Sequence, residues 1–192
     1  MASKTTTVLI ALGVIVLLVI GGIGWYIGQR NSLIALDESV NGAWSEVDNQ
    51  LQRRSDLIPN LVSTVRGFAS QEQQVFSDIA NARARLAGAQ TVSETAESYQ
   101  QMESALSRLL VVVEAYPELR SNQNFLRLQD ELAGTENRVA VARQRYNNYV
   151  QTYNSRIRMF PASMFAGSLG MNAREYFEVD EGARAVPEVN FN

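Results

Sequence analysis

The residues available for chemistry are few in kind. The chain carries 20 acidic and 17 basic side chains and seven tyrosines, but no histidine and no cysteine. A thiol nucleophile, a disulfide frame and a Cys or His zinc site are therefore excluded. So are a Ser–His–Asp triad and an HExxH metalloprotease helix. Lys4 is the only lysine, and every other base is arginine, which stays protonated and makes a poor general base. What remains is carboxylate chemistry, with or without a divalent metal. Di-metal sites in four-helix bundles use Glu-x-x-His pairs, which this chain cannot form. We expect no catalytic residue, no metal and no cofactor, and read the chain as a non-enzyme. The alternative is a carboxylate-based or metal-dependent enzyme.

The most unusual ionisable residue lies in "LQRRSDLIPNLV", residues 51–62. Apolar residues recur at 33, 36, 40, 44, 47, 51, 58, 61, 65 and 68. The steps are three or four, as on one face of an amphipathic helix, with a single gap of seven. Arg54 fills that gap, on the face meant for burial. Pro59 sits inside the same helix, where it removes one backbone hydrogen bond and favours a kink. Arg53 and Asp56 point elsewhere and read as solvated surface.

The elements that must position Arg54 are helical throughout. Gly67, then Ser70 with Gln73, suggest a reversal and a capping box near residue 70. A second helix fits 71–87, with Val75, Ile79, Ala82 and Leu86 on one side. Thr91 and Glu94 make another capping box. The third helix carries Val92, Ala96, Tyr99, Met102, Leu106, Leu109, Val113 and Tyr116, and Pro117 ends it. The fourth presents Phe125, Leu128, Leu132, Thr135, Val139, Ala142, Tyr146, Tyr149, Tyr153, Ile157 and Phe160, and Pro161 closes it. Residues 162–192 read as loop with at most a short helix, packed by Phe165, Tyr176, Phe177 and Phe191 and containing Pro187.

Residues 8–28, "VLIALGVIVLLVIGGIGWYIG", hold no charge and are bracketed by Lys4 and Arg30. At ~1.5 Å per residue they reach about 31 Å, close to the ~30 Å hydrocarbon thickness of a bilayer. Trp25 and Tyr26 lie near one end, where aromatic residues favour the lipid–water boundary. A cleaved signal peptide would need a shorter apolar core and an A-x-A-like site, and neither is present. Gly21, Gly24 and Gly28 share a face on which two such helices can approach closely; the alternative is that glycine is common in such helices. Lys4 and Arg30 nearly balance, with a slight lean toward an N-terminus inside and the remaining domain outside the cytoplasm.

Lengths select the topology. A single unbroken helix over 33–88 would leave the fourth helix overshooting its partners. A reversal near residue 70 lets four antiparallel helices close with short loops. The expected fold is all-α: a transmembrane anchor over 1–30, an up-and-down four-helix bundle over 31–161, and a tail over 162–192 packed on the bundle. Arg54 then lies sixteen residues below the far end of helix one. The matching depth on helix four is occupied by Glu136. We expect Arg54 and Glu136 to pair inside the bundle, which removes the several-kcal/mol penalty of an uncompensated buried charge.

Two further stretches have double readings. Glu114, Glu118 and Arg120 in "EAYPELR" either form a docking turn or simply cap helix ends. In "RQRYNNYVQTYN", residues 143–154, aromatic and basic residues can stack on bases or sugars. Yet Tyr146, Tyr149 and Tyr153 follow the buried period. Asn147 and Asn154 share a face and are expected to hydrogen-bond helix one near Arg54 or Asn60, or a neighbouring subunit. With a net charge of −3 and no basic stripe, nucleic-acid binding is not expected.

"QLQRRSDLIPNLVSTVRGFASQE", "VVVEAYPELRSNQNFLRLQDELAGTENRVAVARQRYNNYVQTYNSRIRMFP" and the late "YFEV" resemble the LemA family in order and spacing. The resemblance implies a bacterial membrane protein with a helical bundle, genes often near membrane metallopeptidases or a second family of membrane-anchored domains, and relatives among proteins that build magnetosome membranes. It supplies no catalytic residues. The expected role is a membrane-anchored scaffold or adaptor in the bacterial inner membrane, crossing it once and contacting the bilayer. It would bind other envelope proteins, membrane peptidases among them, or itself as a homo-oligomer. A groove-binding ligand or peptide sensor is the further alternative.

Overall fold

A computed structural model describes residues 4–178. Its elements are α1 (Lys4–Arg66), α2 (Gln73–Gly88), α3 (Val92–Glu114), the one-turn α4 (Pro117–Arg120), α5 (Gln123–Arg158) and the one-turn α6 (Ser163–Ala166), which leads into a 3-10 turn over Gly167–Leu169. No strand occurs among the described residues. The chain is thus all-α, with one long apolar N-terminal helix. Phe191 and Pro187 lie outside the described residues.

Two compact units divide the chain: Met1–Gly42 with Tyr149–Arg174, and Ala43–Asn148 with Glu175–Asn192. In the second unit four helical stretches form the antiparallel bundle. Trp44 packs on Tyr146 with ring centroids 5.2 Å apart, and Arg54 meets Thr135, so α1 and α5 run in opposite directions. The Arg66 guanidinium sits 5.0 Å from the Phe76 ring centroid, and Arg83 Nε donates to Ser55 Oγ at 3.2 Å, which sets α2 against α1. Arg108–Asp78 at 3.0 Å and Arg85–Gln101 at 2.8 Å close the α2–α3 hairpin. Val47, Leu51, Ile58, Leu61, Ile79, Met102, Leu109, Leu119, Val139 and Tyr146 fill the core.

In the first unit, Leu33, Val40, Val150, Tyr153, Ile157, Ala162 and Ala166 are buried. Arg156 Nη2 donates to Gln29 Oε1 at 2.8 Å. The apolar stretch itself stays outside: none of its most hydrophobic window is buried by the chain.

Several boundaries differ from the sequence expectation. The apolar segment and the first bundle helix are one element, Lys4–Arg66, because "QRNSLIALDES" holds neither proline nor glycine to interrupt it. That helix contains Pro59, as expected, and Pro59 lies on its exposed face. It stops at Arg66, and Ala69 rather than Phe68 is buried in the turn. The Ser70–Gln73 capping box does not form. Gln73 Nε2 instead donates to the Ser70 carbonyl at 2.8 Å, and α2 begins two residues later, behind Glu72. The Thr91–Glu94 box is present in both directions, satisfying two otherwise orphan amides. Pro117 both ends α3 and opens α4, where its missing N–H and fixed φ suit the first helical position. Asn122 Oδ1 then caps α5, accepting from the Asn124 and Phe125 amides at 2.9 and 3.1 Å.

Candidate functional site

The densest polar constellation surrounds Arg54 in the second unit. Its side chain is only 6% exposed, and three helices supply its partners. From α3, Glu103 Oε1 lies 2.6 Å from Nη2 and accepts from Nε at 2.8 Å. From α5, Glu136 Oε2 stands 3.2 Å from Nη2. Nη1 donates to the Leu132 carbonyl at 2.6 Å and to Thr135 Oγ1 at 3.2 Å. Tyr99 on α3 donates its hydroxyl to Glu136. Every face of the guanidinium fork is thus met by an acceptor, which is what makes an arginine tolerable in a core.

The electrostatics follow from two carboxylates around one cation. Burial is the main cause that holds the Glu103 carboxyl above its usual range; Arg54 opposes this and Glu136 adds to it. Burial, then Glu103 and Glu136, push the Tyr99 hydroxyl far up, so it acts as a neutral donor. The cluster is a cross-brace between α1, α3 and α5: the guanidinium is buried, and the two carboxylates are half-buried. No group of three or more metal-binding acids occurs among the described residues.

The structure therefore brings Arg54 and Glu136 together and adds Glu103, Thr135 and Tyr99, which sequence reasoning missed. Arg53 and Asp56 are exposed. Glu114, Glu118 and Arg120 are exposed around α4, with Leu119 buried beneath them. Gly21, Gly24 and Gly28 lie along α1 with nothing within 4 Å of a built Cβ.

The two asparagines have partners other than those expected. In the second unit, Asn147 grips the backbone of Phe177 at both ends: its Nδ2 donates to the carbonyl at 3.1 Å and its Oδ1 accepts from the amide at 2.9 Å. In the first unit, Asn154 does the same to Arg174, at 2.9 and 2.8 Å. Tyr146 donates to the Glu175 carbonyl at 2.8 Å, and Phe177 is buried against Trp44 and Tyr99. An asparagine side chain is a copy of the peptide group, so it can pair with extended backbone as a strand would. Tyr149 is 40% exposed, and Val150 takes the buried place instead. Both fit a helical period, and the smaller branched side chain is the one enclosed.

A groove of about 400 Å³ also lies in the second unit. Trp44, Asp48 and Gln52 of α1 line one side, and Leu86, Gln90 and Thr95 of the α2–α3 hairpin line the other.

Comparison with known proteins places this architecture. Magnetosome protein MamQ 2 of Paramagnetospirillum magneticum is 27% identical over 189 residues, covering 85% of this chain and 70% of that protein. Magnetosome protein MamQ of Magnetospirillum gryphiswaldense is 24% identical over 175 residues, covering 78% of this chain and 64% of that protein. Protein LemA of Metamycoplasma hominis is 23% identical over 158 residues, covering 81% and 72%. The LemA family itself matches residues 43–191, a match that begins where the second unit begins. A bundle braced by Arg54, preceded by a helix apolar enough to cross a membrane and matched over well over half of its length, identifies the chain as belonging to the LemA family.

Proposed function

We propose that this chain is a membrane-anchored helical scaffold or adaptor of the bacterial cell envelope, without catalysis of its own. The carrying observation is the apolar stretch of α1, which its own chain leaves wholly unburied and which therefore needs lipid. The Arg54 cluster supports the non-catalytic part of the reading, because its guanidinium is buried and committed to Glu103, Glu136, Leu132 and Thr135. Surface for partners is available on the bundle: Leu110 and Val111 on α3, Leu126 and Val141 on α5 are exposed. Partners are other envelope proteins or further copies of the chain.

The test is in-cell cross-linking of the full-length protein, with its mass measured in mild detergent. Captured envelope proteins or a defined oligomer are expected. A strict monomer that captures no envelope protein would contradict the proposal. The groove beside Trp44 favours a second reading, in which it takes a small polar ligand or a peptide; its volume falls within the range of small-molecule sites.

A further inference from the structure

The corner between α5 and α6 is exposed and apolar. Met159, Phe160 and Met164 are 59%, 77% and 67% exposed, while Ile157, Ala162 and Ala166 beside them are buried. Between them Phe165 stands edge-on to Trp25 and Tyr26, with ring centroids 6.0 and 5.0 Å apart. Both rings belong to the end of the charge-free stretch, and the Arg156–Gln29 bond fixes the same register one turn further along α1. The exposed corner is thus continuous with the unburied apolar surface of α1.

We propose that this corner dips into the bilayer at the level of Trp25 and Tyr26, giving the protein a second membrane contact beside its anchor; this rests on the membrane-anchored reading above. Three observations favour lipid as the occupant. The surface it extends is the one that the bilayer itself would cover. Trp25, Tyr26 and Phe165 have the composition of the lipid–water boundary, and exposed Arg30 and Arg158 flank the corner where phosphates would lie. The corner also pairs several of its backbone groups internally, which lowers the cost of entering a water-poor layer. The Ser163 amide donates to the Met159 carbonyl at 2.9 Å, that of Met164 to Pro161 at 3.1 Å, and that of Phe165 to Ala162 at 3.0 Å.

The absence of cysteine makes single-site labelling direct. Spin labels are placed on Met164→Cys, Leu18→Cys and Glu38→Cys variants of the full chain in nanodiscs of phosphatidylethanolamine and phosphatidylglycerol. Collision with oxygen is compared with collision with a water-soluble nickel chelate. The proposal expects the oxygen-to-nickel ratio at position 164 to exceed that at position 38 several-fold and to approach that at position 18. A high ratio at 18 with a low one at 164 overturns the corner contact and leaves the anchor standing. A low ratio at both overturns both. Protection of position 164 from both reagents means that protein covers the corner, which overturns lipid as its occupant.

Discussion

Two arginines organise two regions of this molecule in opposite ways. Arg54, in the second unit, is itself only 6% exposed, although its acids Glu103 and Glu136 are 32% and 43% exposed. Arg174, in the first unit, is 40% exposed. It meets Asp37 at 2.8 Å and also bonds Asn41 Oδ1 at 3.1 Å. Their contact geometry is similar, but their surroundings are not. Water reaches Arg174 itself, whereas removing Arg54 strands the Leu132 carbonyl and the Thr135 hydroxyl, both on buried residues. The environment, rather than the number of bonds, sets what each cluster is worth.

The largest expected effect follows from removing the buried guanidinium. Arg54→Met leaves two half-buried acids without their cation and the Leu132 carbonyl without its donor, and should cost ~3 kcal/mol, the low end for a buried pair, in urea unfolding of the full chain in mild detergent. Next comes the asparagine clamp. Asn147→Ala removes two hydrogen bonds to Phe177, each worth about 1 kcal/mol, and should speed hydrogen exchange at the Phe177 amide. Arg174→Ala should cost no more than ~1 kcal/mol, and added salt should shrink that difference further.

The comparison sharpens with pH. Glu103 has a folded-state affinity for its proton above its ordinary value of 4.5. The native state therefore holds that proton more tightly than the unfolded chain does. This preference is fully present below pH 4.5 and is lost as pH rises through the elevated folded value. Glu103→Gln should remove that downward trend, so the variant gains on the parent as pH rises above 4.5. A difference between the two that is flat with pH would show that Glu103 ionises there as freely as it does in the unfolded chain.

Much of this was legible in the primary structure, for reasons that can be named. Arg54 announced itself by filling the gap between Leu51 and Ile58, and the reversal near residue 70 placed Glu136 at its depth. Glu103 is at a matching depth on α3 and was within reach of the same arithmetic, but it sits beside the apolar row rather than in it. The choice of Val150 over Tyr149 was not legible, because both satisfy the period. Nor were the partners of Asn147 and Asn154. They are backbone groups of an extended segment, and backbone carries no sequence signature. Pro59 was legible as a residue inside the first helix, and it lies within α1 on its exposed face.

Arg54 is held by its acids and braces the bundle. The direct test is a thermodynamic cycle that measures unfolding free energies of the parent, Arg54→Met, the Glu103→Gln/Glu136→Gln pair and the triple variant. The account predicts that the triple variant recovers most of what Arg54→Met loses, because no unpaired charge then remains. A triple variant no more stable than Arg54→Met alone would contradict it.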